Sequence, residues 1–127
     1  MAYENIGNGQ ESFTAEAAMS STDYRFVKLG TDAEQVNMCG AGELAIGIRR
    51  NSPAINKPVE VVLPGNIAKL TLGSGGATKG CYLKSDAAGA GVATTTDRDI
   101  VCAIALEAGD DTEVISVLVI IDTLSHA

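Results

Sequence analysis

Three features of this sequence predict an all-β fold, a small β-barrel or β-sandwich of short strands with an extended N-terminal arm. Its apolar runs are short and rich in Val and Ile. They are interrupted every few residues by Gly, Asn, Asp or Pro, the residues that build turns. After residue 23, no segment spaces its apolar residues as an amphipathic helix requires.

The first 23 residues, MAYENIGNGQESFTAEAAMSSTD, are polar and hold no sustained period. They read as an arm that orders on a partner or frays in solution, with room for a short helix at Ala15–Met19. A single β domain is expected over 24–127. It opens with Tyr24–Gly30 (YRFVKLG), in which Tyr24, Phe26 and Val27 give apolar cover while Arg25 and Lys28 face water. QVNMC (Gln35–Cys39) and ELAIGI (Glu43–Ile48) follow as strands. RRNSPAINK is then a polar loop, because Pro53 and Pro58 oppose helix.

VEVVLPG is a strand stopped by Pro64 and Gly65, and NIAKLTLG alternates, with Ala68, Leu70 and Leu72 on one face and Lys69 and Thr71 on the other. CYLKSD and VATTT are shorter strands. IVCAIALEA and TEVISVLVIID are the most hydrophobic, and their β-branching favours buried strands over helices. The turn between them is GDD, Gly109–Asp111. There is also an internal echo. AIGI at Ala45–Ile48 precedes PVEVVL across a polar loop, and AIAL at Ala103–Leu106 precedes TEVISVL across a shorter one. Two related hairpins in one barrel would explain this, and so would the few residue types that strands draw on.

Composition narrows the function. Hydrophobic residues make up 46% of the chain but aromatics only 4%, so the core is built from Val, Ile, Leu and Ala. Such a core buries less area per residue, and oligomerisation is expected to supplement it. The net charge of −7 repels a phosphate backbone and opposes nucleic-acid binding. That charge is uneven: residues 1–23 and 97–127 are acidic, whereas 24–96 hold eight bases against five acids. Cys39, Cys81 and Cys102 form no C-x-x-C pair and fit synthesis in a reducing cytoplasm. MAYENIGNGQ lacks the regions of a signal peptide. The longest apolar run, Val114 to Ile121, is far short of the roughly 20 residues of a membrane helix.

No catalytic group, cofactor or metal site is expected. GSGGATKG (Gly73–Gly80) resembles a phosphate loop only in composition. Thr78 stands where the P-loop motif needs Gly before the lysine, and Gly80 where it needs Ser or Thr after it. A strand-like segment follows instead of a helix, so these glycines suit a tight β connection. The lone histidine, His126, sits at the chain end, which suits neither a general base nor a metal ligand. Asp110, Asp111 and Glu113 lack EF-hand spacing and read as a solvated turn. Arg49, Arg50 and Lys57 form a basic patch around NSPAIN, either a contact for an acidic partner or a solvated loop.

The order of motifs from Pro58 onward resembles a known family. A VEVVL strand leads through AKLTLG to G-x-x-L-K-S-D-x-x-G at Gly80–Gly89, then to CAIALEAGD and an apolar closing strand. This resembles the small capsid decoration, or cement, proteins of tailed bacteriophages, over about residues 40–121; Ala103 or Ile104 stands where that family often has Gly. The resemblance implies a non-enzymatic β module on the outer surface of an icosahedral head, made in the host cytoplasm. Its partners would be the major capsid protein and itself, as a homotrimer or a dimer, with no nucleic acid or membrane. The capsid-binding candidates are then Tyr3, Ile6 and Phe13 on the arm and Arg49, Arg50 and Lys57 in the basic patch. The competing reading is a carbohydrate- or ligand-binding module on the virion. Its aromatic platforms could come only from Tyr3, Phe13, Tyr24, Phe26 and Tyr82.

Overall fold

The computed structural model describes residues 10–19 and 24–123, and ten strands run through them. The first five are β1 (Gln10–Ala15), β2 (Phe26–Leu29), β3 (Gln35–Met38), β4 (Gly47–Arg49) and β5 (Pro58–Val62). They form a closed barrel in the order β1-β3-β2-β4-β5. The second five are β6 (Ile67–Thr71), β7 (Tyr82–Ser85), β8 (Gly91–Ala93), β9 (Ile100–Ala105) and β10 (Val114–Thr123), in the order β6-β10-β9-β7-β8. No helix occurs among the described residues, and the all-β expectation holds.

The boundary expected at residue 23 moves. Gln10–Ala15 is not part of an arm but the strand that closes the first barrel, antiparallel to β5 and parallel to β3. The short helix for which Ala15–Met19 left room does not form. Ala15 ends β1, and both Ala15 and Met19 are buried in the first barrel's core. The physical reason is closure: a four-stranded sheet would leave β3 and β5 as open edges, and β1 pairs with both. Tyr3 and Ile6 lie outside the described residues, as does His126.

The two halves repeat one topology. In β2 and β4, Phe26 pairs with Ile48 and Val27 with Gly47; 56 residues on, Tyr82 pairs with Ile104 and Leu83 with Ala103. The same step carries Ile48↔Val62 and Arg49↔Val61 onto Ile104↔Leu118 and Ala105↔Val117. The β1–β5 pair is matched by β6–β10, and the β2–β3 hairpin by β7–β8. Even the parallel closure Ala15↔Val36 has its counterpart, a single bridge Leu72↔Gly91 that draws β6 and β8 together. Left-handed residues coincide as well, Asn56 (φ 64°) with Thr112 (φ 70°) and Tyr24 (φ 62°) with Gly80 (φ 86°). The echo noticed in the sequence is therefore a repeat of the whole unit. Its two hairpins close separate units instead of sharing one barrel. The matching residue of Ala103 is Gly47, two places from the Ala45 that the echo suggests.

Paired cations and carboxylates repeat too. Lys28 Nζ meets Glu43 at 2.8 Å, and at the matching place Lys84 Nζ meets Asp99 at 2.8 Å. The lysine hydrogen bonds hold both carboxyls below their ordinary values of 4.5 and 3.8. A lowered carboxyl pKa stabilises the fold above the unfolded-state value, and that contribution fades as pH falls through the folded-state value. The melting temperature is expected to stay level near neutrality and to fall below about pH 4.5. Glu43→Gln combined with Asp99→Asn should flatten that acid limb in thermal melts followed by circular dichroism. An unchanged limb would remove these pairs from the acid response.

The core has two parts. Ala15, Met19, Val27, Val36, Val59 and Val61 fill the first barrel. Phe26, Ile48 and Val62 point the other way, off the first barrel's outer face, and join the cluster that fills the second unit with Leu70, Leu72, Leu83 and Val117. One unit of this size buries too little surface to be secure alone. The shared cluster at the junction supplies the missing burial.

Candidate functional site

β5 ends in the turn Pro64–Gly65, where Gly65 takes φ 92°, and the chain enters β6 at once. Asn66 Nδ2 donates to the Leu63 carbonyl at 3.1 Å and braces this crossover. The short link sets the end of β5 beside the start of β6 and leaves a groove of about 440 Å³ where the units meet. Tyr24, Arg50 and Val62 line it from the first unit, and Ile67, Lys69 and Ser116 from the second. Lys69 Nζ lies 5.6 Å from the centre of the Tyr24 ring, a cation–π contact. The backbone N–H of Thr71 donates to the Tyr24 carbonyl at 2.7 Å and fixes that residue's left-handed turn.

The groove carries two cations, Arg50 and Lys69, and no carboxylate among its lining residues. On a chain of net charge −7 this is a local reversal of sign. Such a cleft concentrates field and favours an acidic group from a partner.

The basic patch read from sequence divides. Arg50 is exposed and faces the groove. Lys57 is exposed at the turn into β5. Arg49 is the correction: it is fully buried on the inward face of β4, opposite Val61. Its Nη1 donates to the Asn51 carbonyl at 2.9 Å and to Ser52 Oγ at 2.6 Å. Arg49 ends β4 with its side chain inward, whereas Arg50 lies just past the strand and is exposed, so only Arg50 is placed to meet a partner. Phe13 is half-buried on β1 against the first barrel's core, which makes it a packing residue more than an arm anchor.

Other motifs take structural places. GSGGATKG connects β6 to β7, with Gly75, Gly76 and Gly80 at positive φ, and a strand follows it. A Cβ on Gly76 would meet the Gly109 carbonyl oxygen at 2.4 Å, so the glycine is needed there. Asp110 and Glu113 close a turn in which the Asp110 N–H donates to Glu113 Oε1 at 2.7 Å. Among the described residues no group of His, Cys, Asp and Glu is placed to hold a metal ion, and no helix is long and apolar enough to cross a membrane. Cys39 and Cys102 are buried free thiols, and burial pushes both thiol pKa values up. The groove itself was missed in the sequence. Alternation marked Lys69 as outward-facing, but nothing local says that it meets Tyr24 and Arg50 across the crossover.

No protein-family model matches the chain, and no curated protein matches it. Among solved structures, the N base of the head fiber gp8.5 of bacteriophage phi29 is similar, with a TM-score of 0.72 at 14% identity. The match covers 92% of this chain and 98% of that one. The shared property is the fold.

Proposed function

We propose that this protein is a structural component of a phage virion, bound to the outside of an icosahedral head, where it braces the lattice of the major capsid protein. The observation that carries the reading is the likeness to a head-fiber base over nearly the full length of both chains. Motif order from Pro58 onward points to the same class of protein. The role is non-enzymatic. The basic groove between the units supplies the contact: an acidic segment of the capsid protein would lie against Arg50 and Lys69. Many copies, each weakly held, add up on a lattice without any single strong site.

The test is co-sedimentation with expanded, undecorated heads from the same viral genome. Saturable pelleting at a fixed ratio to the major capsid protein is expected. Arg50→Glu with Lys69→Glu should weaken binding about tenfold or more, and high salt should weaken the wild type in the same direction. A folded wild-type protein that never pellets would sink the proposal. Full binding by the double variant would leave the head assignment standing and remove the groove from it.

A further inference from the structure

The repeat exposes an asymmetry. On the first unit, Phe26, Ile48 and Val62 are direct cross-strand neighbours on the outer face of β2, β4 and β5. Phe26 and Ile48 are 0% exposed and Val62 8%, because the second unit covers them. Their counterparts on the second unit are Tyr82, Ile104 and Leu118, again direct cross-strand neighbours, and Ile67 extends the row on β6. All four are apolar or aromatic, yet Tyr82 is 42% exposed and Ile67 67% exposed, with Ile104 and Leu118 half-buried. Leu106, just past the end of β9, and Val114, at the start of β10, are exposed as well. Adjacent strands are about 4.8 Å apart, so the row crosses roughly 14 Å of the sheet.

We infer that this row, Ile67–Leu118–Ile104–Tyr82, is a self-association surface that docks a second copy of this chain. A second copy is the occupant for two reasons. The matching row on the first unit is already covered by a unit of this same fold, so the covering shape exists within the chain. That shape is formed by β6, β10 and the β7–β8 turn, whose carbonyl at Gly89 accepts from the Phe26 N–H at 2.8 Å. The first unit of another copy carries the corresponding elements, β1, β5 and the β2–β3 turn. The row is also continuous with an interface already formed, since Ile67 lines the groove between the units. The contact is head-to-tail, and it closes into a ring if its rotation allows.

The proposal does not depend on the capsid reading, because its test uses the full chain alone. Molar mass is measured by light scattering and sedimentation velocity from micromolar to near-millimolar concentration. The wild type is expected to associate, and Ile67→Lys with Tyr82→Lys to sediment as a monomer with an unchanged β circular-dichroism spectrum. Should the double variant lose that spectrum, each single substitution takes its place. A wild type that stays monomeric throughout overturns the proposal. So does a multimer that both substitutions leave intact. A monomeric wild type whose binding to heads is abolished by the same substitutions would assign the row to the capsid instead, and the second copy would be the wrong occupant.

Discussion

Arg49→Glu is expected to destabilise the protein by about 3–5 kcal/mol, the scale for an uncompensated charge in a core. That is a large part of the roughly 5–15 kcal/mol by which a domain is stable. The new carboxylate would face the Asn51 carbonyl and Ser52 Oγ, which now accept hydrogen bonds from the guanidinium. It would do so fully buried, opposite Val61. Arg49→Met keeps most of the volume and forfeits those bonds, at about 1–3 kcal/mol. Urea titrations of both variants check this order. A wild-type midpoint for Arg49→Glu would mean that the side chain can turn out to water. The result bears on any docking experiment, since loss of capsid binding in Arg49→Glu would report a damaged fold, whereas Arg50→Glu reports the surface.

Phe26→Ala is expected to destabilise by about 3–5 kcal/mol, while Tyr82→Ala, at the matching place in the second unit, should change stability by only about 0.5 kcal/mol. The two positions open matching strands, β2 and β7, each paired with an isoleucine, and differ in what covers them. Phe26 also joins the two units, so its loss should broaden the unfolding transition as the units begin to melt apart. Equal effects at the two sites would contradict the asymmetry between the units.

Much of the strand plan was legible. Alternation in NIAKLTLG and β-branching in TEVISVLVIID correspond to β6 and β10, and the positive-φ glycines of GSGGATKG correspond to a β connection. What was hidden has physical causes. QESFTA is too polar to announce a strand, yet β1 gains its place from backbone pairing on both edges. Arg49 reads as a surface cation, and only the parity of β4 turns it inward. The repeat is nearly invisible because few matched strand positions keep the same residue. Thr14 with Thr71, Lys28 with Lys84, Ile48 with Ile104 and Val61 with Val117 do so. The candidate groove needs both units in place before its residues meet.

That divergence matters while the chain is being made. Every strand pairing among the described residues stays within 10–62 or within 67–123, so all the first barrel's pairing partners are made before the second unit has left the ribosome, although the junction cluster that secures them is not. Tandem units with one register run a characteristic risk, in which a strand of one inserts into its sibling. Here β10 offers the pairing geometry of β5. Val62 at the junction and Leu118 at the surface are cut to different neighbours, and Arg49 has no counterpart charge at Ala105. A swapped strand would meet the wrong volumes and a buried guanidinium that its own unit lacks. Sequence drift between the halves thus acts as proofreading, and it keeps two copies of one architecture from folding into each other.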